Sequence, residues 1–394
     1  MTSRIILFFV AVIIICACQD KKIQSYTESS YKKTHQFMGK HAIRLDSLRI
    51  PNPFSEEPFG NYTTCYHNND TAFLVLENCA NKQFNVFNLS DFSSFSLNEE
   101  NLKCGQSHSV CFQSPNHFYK LEANGDLLEF KEGNYTLIDN FTTNTQLKYL
   151  GLWAGGFLDY SNNIDLLSDS TLMIPLDVNP DLKHREFSKY DYGYPITGVY
   201  NLKTKKISYE GLTYPKFLFE NNYGILTKIE QYCFKGNILY SFVPIPEIWK
   251  YNHDSKTVDR FLVKSIFDTI ATPALSFKRS PKTKDLLFQH FKTSPYYSHL
   301  IYNPYCRLFY RFYALPLPEK SADGLYTTYK DRRYSVMVLD EEFNLLSEAL
   351  LPKDCFFIYF AVPASDGFHI NYGPFIETKQ HGIKTLRIQL LDVQ

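Results

Sequence analysis

The chain has 394 residues, 41 basic and 41 acidic, and a formal net charge of zero at pH 7. No sustained block of one charge occurs, which argues against a nucleic-acid partner and against a polybasic membrane-binding surface. The length is sufficient for a large core, formed by one big domain or by two ordinary ones.

The N-terminus has the features of an export signal. Arg4 provides a positive charge, and the eleven residues from Ile5 to Ile15 are all apolar, fewer than the roughly 20 needed to span a bilayer. The run ends in Ile15-Cys16-Ala17-Cys18, which resembles the lipobox cut by the lipoprotein signal peptidase. The resemblance implies that residues 1–17 are removed and that Cys18 becomes the lipidated first residue. The alternatives are a signal peptide in which Cys18 has no role and an uncleaved anchor.

Residues 18–30 are polar and are predicted to be a tether, with the folded body at 31–394. Twelve extended residues would let the body stand up to about 40 Å from the bilayer. The residue after Cys18 is Gln19 and not Asp. An Asp there would resemble an inner-membrane retention signal, so the sequence favours the outer membrane. The face of that membrane stays open between periplasm and surface, and so does the oligomeric state.

Short runs rich in Val, Ile, Phe and Tyr alternate with turns containing Asn, Asp, Gly and Pro, which predicts an all-β chain. Three-strand units recur, and the turns before their last strands fall near residues 90, 124, 203, 254 and 342. A period of about 40–50 residues is typical of a β-propeller. Two wide gaps leave room for further units near 145–165 and 285–313, so the predicted fold is a single propeller with six or possibly seven blades.

The C-terminal segment 384–393 is predicted to close the ring by pairing with N-terminal residues such as His41–Ile50, because closure removes exposed sheet edges. The alternative fold is two β-sandwich or barrel domains side by side. Aromatic residues make up 16% of the chain, and they suit strand cores or, when exposed, sugar-stacking platforms.

Two stretches of sequence resemble a known family. They are 302–313, Tyr-Asn-Pro-Tyr-Cys-Arg-Leu-Phe-Tyr-Arg-Phe-Tyr, and 335–348, Ser-Val-Met-Val-Leu-Asp-Glu-Glu-Phe-Asn-Leu-Leu-Ser-Glu. They resemble an uncharacterised family of Bacteroidetes lipoproteins, a domain of unknown function similar to six-bladed TolB-like propellers. The resemblance extends over most of the mature chain and implies a lipid anchor and a propeller. It brings no catalytic residues, because none is assigned in that family.

No common catalytic or cofactor-binding motif is found in the sequence. Nine Cys occur without C-x-x-C spacing, and disulfide pairing stays open. The stretch Asp159–Asp165 has alternating oxygen-bearing side chains, but it lacks the Gly and Glu of a Ca²⁺ loop and indicates a polar turn. We therefore predict no metal and no cofactor.

The absence of catalytic motifs favours a non-catalytic binding or scaffold module over an enzyme. The predicted partners are the membrane, through the lipid anchor, and an envelope protein, peptide or glycan, with no nucleic acid. The alternative is a glycan-active enzyme, either a hydrolase or a lyase, whose only support is analogy of fold.

Overall fold

Six antiparallel sheets follow one another along the chain, each formed largely from consecutive strands. The computed structural model describes residues 27–28, 33–34, 41–50, 62–67, 70–78, 83–91, 93–98, 109–114, 116–122, 124–141, 152–154, 164–178, 195–221, 223–226, 228–275, 284–328, 331–353, 355, 361–371 and 383–392. The sheets are the blades of one β-propeller. The predicted fold class is therefore confirmed, with six blades rather than seven.

Three strands precede the first blade: β1 (Thr27–Glu28), β2 (Lys33–Thr34) and β3 (His41–Ile50). Blade 1 contains β4 (Tyr62–His67), β5 (Thr71–Asn78), β6 (Gln83–Asn88) and β7 (Ser94–Asn98). Blade 2 contains β8 (Ser109–Ser114), β9 (His117–Leu121), β10 (Asp126–Lys131) and β11 (Asn134–Asn140). Blade 3 contains β12 (Leu152–Ala154), β13 (Asp165–Ser168), β14 (Thr171–Val178), β15 (Thr197–Asn201) and β16 (Lys206–Tyr209).

The second half of the chain forms the other three blades. Blade 4 contains β17 (Ile229–Phe234), β18 (Asn237–Phe242), β19 (Glu247–Asn252) and β20 (Thr257–Leu262). Blade 5 contains β21 (Tyr296–Asn303), β22 (Leu308–Ala314), β23 (Tyr334–Leu339) and β24 (Leu345–Leu350), and blade 6 contains β25 (Ala361–Ala364), β26 (Gly367–Asn371) and β27 (Ile383–Asp392). Two helices, α1 (Lys216–Glu220) and α2 (Lys284–Thr293), lie in the connections before blades 4 and 5.

The ring is closed by the two ends of the chain. β3 pairs antiparallel with β27 over ten residues, with His41 opposite Asp392 and Ile50 opposite Ile383. Blade 6 therefore consists of three C-terminal strands and one N-terminal strand. This pairing confirms the predicted closing strand.

The two extra units that the sequence spacing suggested do not exist as separate blades. The described strands near 145–165, β12 and β13, belong to blade 3, and β21 and β22 belong to blade 5. The wide gaps arise because long connections lengthen these blades: residues 179–194 separate β14 from β15, and residues 315–333 separate β22 from β23. Regular turn spacing alone cannot distinguish a long connection from a missing blade.

Short connections join the first two full strands of each blade, and we call this side of the propeller the hairpin end. The turn between β17 and β18 has Lys235 at φ 49° and Gly236 at φ 71°, the backbone of a type I′ hairpin. The opposite side, the loop end, carries the longer connections, including 263–295 and 315–333.

The core lies between neighbouring blades. Tyr310 of blade 5 stacks on Phe368 of blade 6 with ring centroids 4.4 Å apart, and Phe73 of blade 1 stacks on Phe112 of blade 2 at 5.5 Å. Tyr240, Tyr297 and other large aromatic side chains are fully buried. These aromatic residues therefore form the strand core rather than exposed sugar platforms.

The N-terminal segment also contacts blade 4. β1 and β2 pair in parallel with its outer strand β20, so that Thr27 lies opposite Thr257 and Thr34 opposite Leu262. Thr27 and Glu28 fall within the predicted tether, but they already pair with a strand of the folded body.

Candidate functional site

The first full strand of each blade lies on the inner side of the ring, next to its counterpart in a neighbouring blade. Such contacts join β4 to β8, β8 to β13, β13 to β17, and β21 to β25. Asp165 of β13 and Glu230 of β17 are carboxylates on these inner strands. They are the first candidates for a catalytic pair drawn from different blades.

Both carboxylates accept hydrogen bonds from the backbone of the next blade. Cys233 N–H donates to Asp165 Oδ2 at 3.1 Å, which joins blade 4 to blade 3. His299 N–H and Leu300 N–H donate to Glu230 at 2.9 and 3.2 Å, which joins blade 5 to blade 4. Buried N–H groups need hydrogen-bond acceptors. Each carboxylate supplies them where two inner strands of different blades meet without a ladder of backbone hydrogen bonds between them.

Other polar side chains repeat this arrangement around the ring. Ile164 N–H donates to Ser109 Oγ at 2.6 Å between blades 2 and 3. Asn303 Nδ2 donates to the carbonyls of Ala364 and Gly367, both at 3.1 Å, between blades 5 and 6. We call these contacts the inter-blade clasps, with Asp165 and Glu230 among them.

Glu230 also supports an irregular strand. His299 has φ 50°, and the pairing of β21 with β22 shifts register between Ser298 and Ile301, which is a β-bulge. The bulge exposes the two successive N–H groups that Glu230 accepts. Ser298 Oγ lies 2.5 Å from His299 Nδ1.

A small cavity lies beside Asp165 near the hairpin end of blades 3 to 5. Its lining is mainly aromatic: Asp165, Tyr232, Cys233, Phe234, Leu300, Tyr302 and Phe309. The space available to a water-sized sphere is about 20 Å³, which is sufficient for about one water molecule. The cavity can therefore admit a water molecule or the tip of a ligand, but not a sugar ring.

Burial raises the pKa of Asp165 to about 7, although the N–H groups of Cys233 and Leu166 and the Cys111 thiol lower it. Cys111 Sγ lies 3.9 Å from Asp165 Oδ1, and Leu166 N–H donates to the same oxygen at 2.9 Å. The carboxyl group therefore changes its protonation state near neutral pH. Such a group can exchange a proton with a bound water molecule.

Cys233 does not supply an activated nucleophile. Burial raises the pKa of its thiol well above the ordinary value, and the charge of Asp165 raises it further. The Cys233 Sγ atom lies 3.6 Å from Met173 Sδ in the core. A thiol that stays protonated in apolar surroundings behaves as a small hydrophobic group.

A charged cluster covers the hairpin end next to the cavity. Glu341 Oε2 lies 2.6 Å from Arg307 Nη2 and 2.8 Å from Lys235 Nζ, and Tyr302 donates to Glu341 Oε1 at 2.6 Å. The Arg307 guanidinium is the main reason that the pKa of Glu341 falls to about 2. The ring of Phe234, which lines the cavity, lies 5.1 Å below Lys235 Nζ.

The two cations of this cluster remain accessible. The side chains of Arg307 and Lys235 are 69% and 47% exposed, whereas that of Glu341 is 13% exposed. We define Lys235, Arg307, Glu341, Tyr302 and the cavity as the hairpin-end site. Its chemistry suits recognition of an acidic or polar group by two cations above an aromatic floor.

The raised pKa of Asp165 predicts that the stability of the protein depends on pH. The pKa is about 7 in the folded protein against 3.8 for an ordinary Asp, so the folded state binds more protons than the unfolded chain between these values. The resulting stabilisation is complete below about pH 4 and is lost as the pH rises through about 7. As the pH rises from about 5 to about 8, the natural protein loses this stabilisation and Asp165→Asn does not. The unfolding free energy of Asp165→Asn should therefore rise by about 2–3 kcal/mol relative to that of the natural protein.

Urea unfolding of both proteins at the two pH values measures this gain. Asp169→Asn, an exposed change four residues away, serves as the control and should show no such gain. If the difference between Asp165→Asn and the natural protein is the same at both pH values, Asp165 does not titrate as described.

The sequence-based site predictions have different outcomes. Cys18 lies outside the described residues, so its lipidation stays a prediction. Of the Asp159–Asp165 stretch, only Ile164 and Asp165 are described, and Asp165 belongs to the inner strand of blade 3. Among the residues that the structure describes, no group of three or more His, Cys, Asp or Glu side chains could hold a metal ion.

In the sequence, Asp165 stood out only as part of a polar turn, and Glu230 and Glu341 did not stand out as candidate site residues. Their partners Cys233, His299 and Arg307 are 68, 69 and 34 residues away along the chain. No local motif marks such pairs.

In the described part of the chain, no helix is both long and apolar enough to cross a membrane.

The fold and its clasps define a six-bladed β-propeller with a small cavity at the hairpin end. The chain belongs to the DUF4221 family, a domain of unknown function, whose profile matches residues 68–350. The resemblance found in the sequence is thereby confirmed. No curated protein matches the chain.

The chain is similar to several solved structures at low sequence identity. A DUF4221 member from Bacteroides vulgatus has a TM-score of 0.62 and 13% identity, over 90% of this chain and 100% of that chain. A Bacteroides fragilis protein described as exported has a TM-score of 0.47 and 12% identity, over 92% and 98% of the two chains. Oligogalacturonate lyase from Vibrio parahaemolyticus has a TM-score of 0.39 and 10% identity, over 90% and 99%. At 13% identity the likeness to the DUF4221 member shows the fold alone, and the other two matches, with TM-scores under 0.5, carry no argument.

Proposed function

We propose that this protein is a lipoprotein of the cell envelope, anchored in the outer membrane, whose propeller is a non-catalytic binding or scaffold module. The observation that carries the proposal is the use of Asp165 and Glu230 as inter-blade clasps. Each accepts backbone N–H groups of the next blade. A carboxylate committed in this way holds the ring together, and moving it onto a substrate would leave buried N–H groups without acceptors.

The proposed partner is an envelope protein, peptide or glycan that presents an acidic or polar group to the hairpin-end site. Arg307 and Lys235 supply exposed positive charge there, and Glu341 holds both side chains in place. The cavity behind them takes only a group of about the size of a water molecule. The partner is therefore recognised at the surface and is not enclosed.

Anchoring is tested at Cys18. The natural protein should incorporate labelled palmitate and enter the detergent phase on phase separation, because two or more acyl chains hold a protein stably in a membrane. Cys18→Ala should be released from the membrane or remain as the uncut precursor. A Cys18→Ala protein that is still acylated would show that the lipobox interpretation is wrong.

Binding is tested with the double variant Lys235→Ala/Arg307→Ala. After crosslinking and affinity capture from envelope extract, the double variant should retain at most about a tenth of the partner that the natural protein captures, because exposed Arg residues often dominate an interface. Lys203→Ala/Lys205→Ala removes two exposed cations from the hairpin end of blade 3 and is the matched control. Equal capture by both double variants would place the binding surface elsewhere.

A further inference from the structure

The cavity of the hairpin-end site combines one carboxyl group with a wall of aromatic rings. The rings of Phe234, Tyr302 and Phe309 contact one another, with centroids 4.8, 4.9 and 4.9 Å apart, and Tyr232 adds a fourth ring. Asp165 is the one acidic residue of the described lining. Aromatic rings attract a cation through their π faces, and a carboxylate attracts it by charge, so this lining suits a cationic group.

Asp165 can accept a further hydrogen bond without leaving its clasp. Oδ1 accepts from Leu166 N–H at 2.9 Å and lies 3.9 Å from Cys111 Sγ, whereas Oδ2 accepts from Cys233 N–H at 3.1 Å. Each carboxylate oxygen has two lone pairs. Among the described residues no second donor is bonded to Oδ2, so this oxygen can accept from a ligand while the two blades stay joined.

Two of the lining residues remain in reach of solvent. Asp165 and Tyr232 keep part of their surface exposed, whereas the other lining side chains are buried. The mouth of the cavity therefore lies beside these two residues. Lys235 follows Tyr232 by three residues, roughly 10 Å along an extended chain. One ligand can therefore occupy the cavity and also reach the exposed cations.

The size of the cavity selects among cationic groups. Its space of about 20 Å³ is sufficient for about one water molecule, and a primary ammonium is a compact charge of similar size. A trimethylammonium group is too large. Calcium prefers six to eight oxygen ligands, but the phenol groups of Tyr232 and Tyr302 donate to Glu230 and Glu341 at 3.3 and 2.6 Å. A primary ammonium is therefore the group that fits.

No described cation contacts Asp165. The groups that face its carboxyl are the thiols of Cys111 and Cys233 and the backbone N–H groups of Leu166 and Cys233. Burial without a counter-charge raises the pKa of Asp165 to about 7. An ammonium group within hydrogen-bond distance supplies that counter-charge and stabilises the carboxylate.

The cations of the hairpin-end site are already compensated. Lys235 Nζ and Arg307 Nη2 lie 2.8 and 2.6 Å from Glu341 Oε2, and Asp340 and Glu342 of the same turn add further negative charge. This compensation offsets the repulsion that the two cations would exert on an ammonium in the cavity. Their exposed N–H groups still face an acidic group of a ligand. The site therefore suits a ligand that carries both charges.

We propose that the cavity beside Asp165 binds a primary ammonium group of the partner, while Arg307 and Lys235 hold a neighbouring acidic or polar group. This inference rests on the proposed function and narrows the partner to a protein or peptide. Lysine side chains and free N-termini carry primary ammonium groups, whereas neutral and acidic glycans carry none. The cavity then reads one amine, and the surface around it reads the chain that carries that amine.

The test measures binding of small probes to the full-length protein in non-ionic detergent by ligand-detected NMR titration. Nα-acetyl-lysine amide should bind at least about tenfold more tightly than Nα-acetyl-norleucine amide, which lacks the ammonium, and than the trimethyl-lysine analogue, which is too large. Between pH 6 and pH 8 the affinity for the lysine probe should rise roughly tenfold, as Asp165 ionises and the amine stays protonated. Norleucine amide, whose free α-amine loses its proton over this range, distinguishes an N-terminus from a lysine side chain by binding more tightly than the lysine probe at pH 6.

Substitutions assign the binding to this cavity. Asp165→Asn should lower the affinity for the lysine probe at pH 8 at least about tenfold and remove its rise with pH, whereas the exposed control Asp169→Asn should do neither. Tyr232→Leu should lower the affinity about threefold, and Tyr232→Phe, which restores a ring, should recover it.

Three outcomes would overturn the proposal: equal binding of the lysine and norleucine probes, tighter binding of the trimethyl probe, or full affinity in Asp165→Asn. The capture experiment with Lys235→Ala/Arg307→Ala separates this inference from the proposed function. Loss of capture without probe binding would refute the ammonium site and keep the cationic surface. Probe binding at Asp165 with unchanged capture would support the ammonium site and refute that surface.

Discussion

A chain that begins at residue 51 should fail to form a stable propeller, whereas a chain that begins at residue 36 should fold. The longer chain keeps β3, and the shorter one lacks it. Without β3 the ten-residue strand β27 loses its outer partner, and Ile43 and Leu45 no longer pack against the core between blades 5 and 6. An open ring also leaves an unpaired strand edge, which promotes aggregation.

Size-exclusion chromatography and thermal unfolding of the two chains measure this effect. The chain from residue 36 should be monodisperse, and the chain from residue 51 should aggregate or melt more than about 15 °C lower. Adding a peptide of residues 36–50 in trans should restore part of the loss. If both chains melt within a few degrees of each other, the N-terminal strand does not close the ring.

Replacing Arg311 by Ala should cost about 3–5 kcal/mol of unfolding free energy, because it removes a fully buried charged side chain with several partners. Arg311 lies in β22, and Nη2 donates to the carbonyls of Phe242, Ile245 and Glu247 at 3.1, 3.3 and 3.3 Å. The guanidinium also lies 4.3 Å from the centre of the Tyr297 ring. Burial lowers the pKa of Arg311 to about 10, so it remains charged at neutral pH.

The loss arises because several carbonyls at the connection between β18 and β19 accept hydrogen bonds from this one side chain. Without it, four carbonyls, including that of Val263, lose a donor and a cavity opens between blades 4 and 5. Arg311→Lys should recover only part of the loss, because a single ammonium cannot reproduce the planar fork. Arg307→Ala, an exposed Arg on the same blade, should cost less than about 1 kcal/mol. Urea unfolding that places Arg311→Ala within about 1 kcal/mol of the natural protein would contradict the assigned role.

Much of the fold could be predicted because the outer strands alternate apolar and polar residues. The predicted units at 71–97 and 171–210 match strands β5 to β7 and β14 to β16. The closing strand was also visible, since Leu386 and Ile388 are buried while Arg387 and Gln389 are less so. Turns rich in Asn, Asp and Gly marked where these strands end.

The inner strands were harder to recognise from the sequence. β17 reads Ile-Glu-Gln-Tyr-Cys-Phe, and its buried Glu230 and Gln231 interrupt the apolar pattern. These polar residues serve the clasps and the contact of Gln231 with Thr197, which depend on other blades. The first strands of blade 6 were not recognised before its closing strand, and β25 is only four residues long.

The candidate site could not be located from the sequence at all. Lys235, Arg307 and Glu341 lie in turns of blades 4 and 5, and each looks like an ordinary surface charge. The exposure of a side chain is equally hidden, because the exposed Phe288 and the buried Phe309 cannot be told apart by residue type. Only the closure of the ring brings these groups together.

The central claim is that the inner-strand carboxylates hold the propeller together and do not catalyse a reaction. The most direct measurement is turnover by the purified body, residues 19–394, on a panel of envelope and plant polysaccharides and peptides, together with Asp165→Asn and Glu230→Gln. We predict no turnover by any of the three proteins, and a loss of stability in Glu230→Gln of about 1–3 kcal/mol from the weakened clasp. Turnover by the natural body that Asp165→Asn or Glu230→Gln abolishes, while the variant stays folded, would contradict the account.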